Sequence, residues 1–331
     1  MMKPKIICTL GPSSFKKKVL DQLKKEGVDI FRINLSHTSS KDIEKKIIYL
    51  KKNKIKKICL DTEGAQLRTS FLKKKIYLKK NKLVKIFCGN KECNKNNLYL
   101  YPNFNLSNIR VNSKIHIGFN NLVIKIIKNL KNVNYLYGRV IQDGFLESRK
   151  GVHVDQKLNL NCLTPKDNFA LNIGIKHKIN YYAVSFVNSF KDLVKIRNIL
   201  GDKVVLISKI ETLSAIKDLK RISKFSNSFL IDRGDLSRYV PIEKIPIAQE
   251  KILNQSKKLN LPVYIATNLL ETMIHSILPT RAESNDIFSS LDKGASGLVL
   301  AAETAIGKYP IECVKFLKRC IQAFKNKKKI I

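Results

Sequence analysis

No disulfide framework is written into this chain. Its seven cysteines (Cys8, Cys59, Cys88, Cys93, Cys162, Cys313, Cys320) are odd in number and scattered, and several sit inside apolar runs where a thiol behaves as a small buried hydrophobe. Cys88 and Cys93 stand in a Lys/Asn-rich loop with no second pair to complete a zinc site. No apolar run is long enough to span a bilayer and no signal peptide opens the sequence, so a soluble, cytoplasmic protein without membrane partners is expected. A Walker loop and a dinucleotide fingerprint are both missing, and Gly11 and Gly307 are isolated. Tryptophan is absent and acidic residues are scarce, 26 Asp and Glu against 63 Lys and Arg, for a formal charge of +37. Such a balance ordinarily suggests nucleic acid or an anionic membrane surface. Here the excess is mainly lysine on almost every helical stretch, beside frequent Ile and Asn, as an A+T-rich coding sequence would give. A dedicated binder would cluster its cations on one face and interleave aromatics. The expectation is therefore weak attraction for any polyanion and no specific nucleic-acid partner.

What the chain does contain is a rhythm. Lys5 to Leu10 reads as a short buried strand stopped by Gly11-Pro12, with Ser13-Ser14 placed to cap a helix through Val19, Leu20 and Leu23. Residues 29–35 and 55–60 repeat the strand pattern around a helix over 41–52. From about Ser70 to Cys162 the pattern becomes short alternating runs between Asn, Lys and Gly, which predicts an inserted β domain. The strand and helix alternation then resumes and yields eight of each, including one helix over 213–226. The reading is α/β: a (β/α)8 TIM barrel in residues 1–69 and 163–325, an insert in 70–162 and a basic tail in 326–331.

Residues 203–236 carry the chemistry. Val204 to Ser208 is a β-branched run suited to a strand buried on both faces, and Lys209 and Glu211 come where it stops, two residues apart and so on one side. A second run, Phe229 to Ile231, leads into Arg233, Gly234 and Asp235. Strand ends at the C-terminal mouth of such a barrel hold the active site, so an ammonium and two carboxylates should converge there. Two carboxylates can hold a divalent cation, and the lysine can face a transferring phosphoryl group. The rival assignment is a surface ion-pair cluster.

The segments KIICTLGPSS, FRINLSH, LDTEGAQLRT, RKGVHV, ISKIET, RGDL, IATNLLETMI, PTRAE and ETAIGKYP occur in order, and with them the chain resembles the pyruvate kinase family from Lys5 to about Cys320. The insert then corresponds to the family's lid, a small β-barrel domain. The resemblance implies phosphoryl transfer from phosphoenolpyruvate to ADP, giving pyruvate and ATP in glycolysis. It implies that Lys209 neutralises the phosphoryl group and the enolate, that Glu211 and Asp235 bind Mg²⁺ or Mn²⁺, and that Thr267 lies where the enolate is protonated. Arg32 would grip the phosphoryl group, and the amides around Gly234 and Asp235 the substrate carboxylate. Asn34, Ser36, Asp61 and Thr62 match K⁺ ligands, while Pro12, His37, Arg68 and Lys150 match nucleotide-side positions. A homo-oligomer formed through the barrel is a further expectation.

The sequence departs from the family in places. Ala301-Ala302 replaces Ser-Gly, Asn268 a Gln, Glu63 a Lys, Ala65 a Pro and Gly118-Phe119 the Asp-Asp of the lid. Gln66 stands where Glu accompanies K⁺ dependence and Lys replaces it, which leaves the K⁺ requirement open. Asp232 and Ser237 flank the RGDL segment unusually. The family's C-terminal effector domain does not follow, so hyperbolic saturation without sugar-phosphate activation is expected. Two other readings stand beside this one. One is a metal-dependent aldolase or lyase of the same barrel type, which would need neither insert nor Lys209; the other is a decayed kinase kept as a basic binding module. His37 as a cap, Lys150 as a solvated lysine, and Asn34 and Ser36 as strand-end hydrogen-bonders are the corresponding structural assignments.

Overall fold

The computed structural model describes residues 3–64, 66–118, 122–130, 133–156, 158 and 160–327. Ala65, Phe119 and the last four residues of the basic tail lie outside these. The chain divides into two compact units, Met1–Gly64 with Pro165–Ile331, and Ala65–Thr164. No helix among the described residues is long and apolar enough to cross a membrane.

In the first unit eight parallel strands close into a barrel: β1 (Lys5–Thr9), β2 (Ile30–Asn34), β3 (Ile58–Asp61), β4 (Tyr181–Val184), β5 (Val205–Lys209), β6 (Ser228–Asp232), β7 (Val263–Ala266) and β8 (Gly297–Leu300), with β8 returning to pair with β1. Each strand is short, nearly continuously apolar and almost fully buried, as a sheet covered on both faces requires. The barrel interior is plugged by Ile7, Ile30, Cys59, Ala183, Ile207, Leu230, Tyr264, Ala266 and Val299, so every strand contributes. Side chains repeat every two residues along a strand. The residues two further on, Thr9, Arg32, Asp61, Ser185, Lys209 and Asp232, therefore sit over this apolar floor at the C-terminal mouth.

Helices follow the strands at Lys17–Lys25, Ser40–Lys52, Pro165–Lys176, Phe190–Leu200, Ile245–Lys258, Arg281–Asp292 and Pro310–Lys325. Two details differ from the sequence reading. The helix expected over 213–226 is two short ones, Leu213–Lys217 and Leu219–Ser223. Asp218 breaks them apart at φ −109°, ψ 12°, because its carboxylate accepts from Phe190 N–H at 3.2 Å and pairs with Arg221. The first helix is not capped by Ser13-Ser14, since Ser14 Oγ instead accepts from Gly11 N–H at 3.0 Å.

The second unit is a closed seven-stranded barrel. In spatial order its strands are Tyr135–Gln142, Leu83–Cys88, Asn97–Tyr101, Leu67–Thr69, Gly151–Val154, Lys114–Ile117 and Leu122–Asn129. Its core includes Ile86, Leu100, Ile115 and Ile124, all fully buried. Leu67–Thr69, assigned by sequence to the TIM barrel, pairs here with Asn97–Tyr101 and Gly151–Val154. Gly138 allows this small barrel to close, because a Cβ there would lie 2.5 Å from Ile124 Cγ2.

Candidate active site

Lys209 ends β5 with 4% of its surface exposed, and Glu211, two residues on, is fully buried, which rules out a surface ion-pair cluster. The Lys209 ammonium lies 2.8 Å from Glu211 Oε1, 3.4 Å from Asp232 Oδ2 and 3.6 Å from Asp61 Oδ1, and donates to Ser185 Oγ at 3.1 Å. Burial works against its charge, but Asp61, Glu211, Asp232 and Asp235 together outweigh burial and hold its pKa above the ordinary lysine value. Arg32, also buried, donates through Nη1 to Asp61 Oδ2 at 3.0 Å and through Nε to Thr9 Oγ1 at 2.8 Å. Asp61 thus holds two cations on one side of the mouth.

The carboxylates are not equivalent. Burial pushes Glu211 up to about 8, against the pull of Lys209 and with the help of Asp235 and Asp232. Burial also acts on Asp232, yet Lys209 and Arg32 prevail and hold it below the usual carboxylate range. One Glu211 oxygen accepts from Phe186 N–H at 2.7 Å; the other, Oε1, faces the Lys209 ammonium at 2.8 Å. Glu211, Asp232 and Asp235 each bring an oxygen within 4.8 Å of the other two, and no other group of three potential ligands occurs among the described residues. Three hard carboxylate oxygens this close together fit a divalent cation such as Mg²⁺.

Thr267 follows β7 at φ +70°, a region that a β-branched residue enters at a cost of about 1–3 kcal/mol. Its hydroxyl accepts from Gly234 N–H at 3.0 Å and lies 3.3 Å from Asp232 Oδ1 and 2.5 Å from the Ala266 carbonyl. The Arg233 guanidinium holds the Thr267 carbonyl from Nε at 3.1 Å and Nη2 at 2.5 Å, and its Nη1 is gripped by both oxygens of Asp286 at 2.8 and 2.7 Å. Asp286→Ala should free this clamp, let Thr267 relax and lower kcat about tenfold or more in steady-state kinetics. An unchanged kcat would show that this clamp does not matter to turnover.

The structure therefore brings together Lys209, Glu211, Asp235, Arg32, Asp61, Gly234 and Thr267. It adds Asp232, Ser185 and Asp286, which the sequence reading did not select. For Asp232 and Ser185 the available signal was the two-residue step from Leu230 and Ala183. The amides around Gly234 are less open than expected. Their helix is the single turn Arg233–Leu236, and the Gly234 and Asp235 N–H groups already donate to Thr267 Oγ1 and Asp232 Oδ1. Of the oxygens matched to K⁺, Asn34 Oδ1 accepts from Ser36 N–H at 2.9 Å, Thr62 Oγ1 accepts from Ser185 N–H at 2.9 Å, and Asp61 faces Arg32. Pro12 and His37 are exposed in the first unit. Arg68 and Lys150 belong to the second unit, where Arg68 donates to the Arg149 carbonyl at 3.3 Å and Lys150 pairs with Glu147 at 2.9 Å.

A family model described as the barrel domain of pyruvate kinase matches residues 1–314. Among curated proteins the chain is similar to a pyruvate kinase of Thermotoga maritima, 32% identical, covering 99% of this chain and 72% of that protein. It is also similar to those of Agrobacterium vitis, 31% identical over 97% of the chain and 68% of the relative, and Staphylococcus epidermidis, 29% identical over 96% and 56%. The chain thus spans between 56% and 72% of the length of these relatives.

Proposed function

The chain belongs to the pyruvate kinase family, and on that premise we propose that it moves the phosphoryl group of phosphoenolpyruvate to ADP, giving pyruvate and ATP. The observation that carries this reading is the buried Lys209 ammonium, set beside Arg32 and walled by carboxylates at the strand ends. Phosphoryl transfer asks a protein chiefly for fixed positive charge and positioning. Lys209 and Arg32 supply that charge in a low-dielectric setting, and Asp61, hydrogen-bonded to Arg32 and 3.6 Å from Lys209, keeps both aimed at one place.

Glu211 and Asp235, with Asp232, would hold Mg²⁺ or Mn²⁺. When bound, such an ion offsets negative charge on phosphoryl and enolate oxygens. Thr267 has its hydroxyl positioned by Gly234 and Asp232 and would guide the proton that the enolate carbon takes up. The substrate carboxylate would compete with Thr267 Oγ1 and Asp232 Oδ1 for the Gly234 and Asp235 amides. We assign Pro12, His37, Arg68 and Lys150 to the nucleotide, and Asn34, Ser36, Asp61 and Thr62 to K⁺ where that ion takes part.

A coupled assay with phosphoenolpyruvate, ADP and Mg²⁺, run with and without K⁺, tests the proposal. ATP should form, and should stop on chelation of the divalent metal. Consumption of phosphoenolpyruvate without ATP would identify a lyase or aldolase instead, and no turnover with any cation would leave a binding module.

A further inference from the structure

The outward face of three adjacent strands in the second unit interleaves rings with cations. Along Leu83–Cys88, Asn97–Tyr101 and Tyr135–Gln142 the buried residues are Val84, Ile86, Leu98, Leu100, Leu136 and Val140. The alternate residues, Lys85, Phe87, Asn97, Tyr99, Tyr135, Tyr137 and Arg139, consequently face outward. Register aligns them in rows: Tyr135 opposite Phe87 opposite Tyr99, and Tyr137 opposite Lys85 opposite Asn97. Phe87 stacks on Tyr99 with centroids 4.9 Å apart, Tyr135 lies 5.2 Å from Phe87, and Tyr137 meets Tyr135 edge-on at 5.1 Å. The Lys85 ammonium sits 4.7 Å over Tyr135, and at the end of the next strand the Arg149 guanidinium sits 5.6 Å over Tyr101.

No outward position of these three strands is acidic, and residues 65–164 hold nineteen Lys and Arg against four Asp and Glu. Cross-strand rings also stabilise a sheet, but that role requires neither cations over the ring faces nor a lack of carboxylates. The charge of the chain as a whole is diffuse; on this face it is organised. We propose that the face binds single-stranded RNA without sequence preference, with bases stacking on Phe87, Tyr99, Tyr135 and Tyr137 and phosphates neutralised by Lys85, Arg139 and Arg149. Every base offers a π-face, so such a platform tolerates any sequence, whereas a duplex keeps its base faces covered. RNA is favoured over DNA because the Tyr135 and Tyr137 hydroxyls, 2.9 Å apart, share one hydrogen and leave the second for a ribose 2′-hydroxyl.

The test is fluorescence anisotropy of the whole protein with labelled oligouridine, oligothymidine, duplex DNA and heparin at about 50 and about 150 mM salt. The dissociation constant for oligouridine should be in the micromolar range and weaken with salt, with duplex binding weaker still. Phe87→Leu combined with Tyr135→Leu should weaken RNA binding about tenfold or more and leave heparin binding unchanged. Tyr135→Phe combined with Tyr137→Phe keeps both rings and should abolish the preference for RNA over DNA. With no tryptophan present, tyrosine emission of the unaltered protein should be quenched by RNA and not by heparin, a readout that needs no variant to fold. Equal affinity for RNA, duplex and heparin, unmoved by the ring substitutions, would overturn the proposal, as would an absence of RNA binding at about 50 mM salt or of tyrosine quenching.

Discussion

Lys209→Met should lower ATP formation by at least about a hundredfold, the usual cost of removing a preorganised charge that faces the transition state. The same variant should also lose stability. Asp61 and Asp232, at 3.6 and 3.4 Å from the ammonium, would be left as buried carboxylates without their shared counter-charge. Breaking a buried ion pair from one side costs about 3–5 kcal/mol. Glu211 adds little to that cost, since its carboxyl, pushed up to about 8 by burial, already carries a proton at neutral pH. The protein should therefore remain folded by circular dichroism, melt at a lower temperature, and recover some of the loss when Asp61→Asn is added. Activity should not recover with it, which separates the electrostatic role of Lys209 in the fold from its role in transfer. Near-normal ATP production by Lys209→Met would sink the mechanism.

Mg²⁺ affinity should rise about tenfold for each pH unit between about pH 6 and 8 and then level off. The cause is Glu211, which keeps its proton in the folded, metal-free protein up to about 8 because burial disfavours the anion. An unfolded chain would release that proton near about pH 4.3. Between these two values ionising Glu211 works against the fold, so its contribution to the stability of the metal-free protein falls as pH rises. Metal binding must expel the same proton. Calorimetric titration in buffers of different ionisation enthalpy should count about one proton released near neutral pH. Glu211→Gln should flatten the pH dependence, whereas Asp232→Asn should weaken binding and keep the slope, because Asp232 is held below the usual carboxylate range and stays ionised throughout. An affinity independent of pH from 6 to 8 would assign the proton elsewhere.

Both expectations depend on details that differ in how openly the sequence displays them. The spacing of Lys209 and Glu211 and their position at the end of an apolar run were legible because strand periodicity is local: two residues apart means one side, whatever the rest of the chain does. The same step would have pointed to Asp232 from Leu230 and to Ser185 from Ala183, had the inward parity of each strand been known. That parity becomes visible only when Ile207, Leu230 and Ala183 are seen in one apolar plug. The break at Asp218 was hidden for a different reason. The apolar positions of residues 213–226 keep helical spacing across it, and the hydrogen bond that enforces it comes from Phe190, 28 residues away.

The sequence by itself determined the alternation of strands and helices, the alternating insert, the segments that carry the family likeness and the charged residues at successive strand ends, all of which rest on contacts between near neighbours in the chain. Tertiary structure alone decided that Glu211 is fully buried, that Asp61 binds Arg32 and faces Lys209, that Asp232 joins the carboxylate trio and that the rings of the second unit gather between lysines and arginines. Barrel closure sets which strand ends meet, and only the packing around them sets how much water each charge loses. Desolvation is what turns a row of ordinary carboxylates into groups with opposite shifts, Glu211 raised and Asp232 lowered, because the same burial is offset by cations at one position and outweighs them at the other.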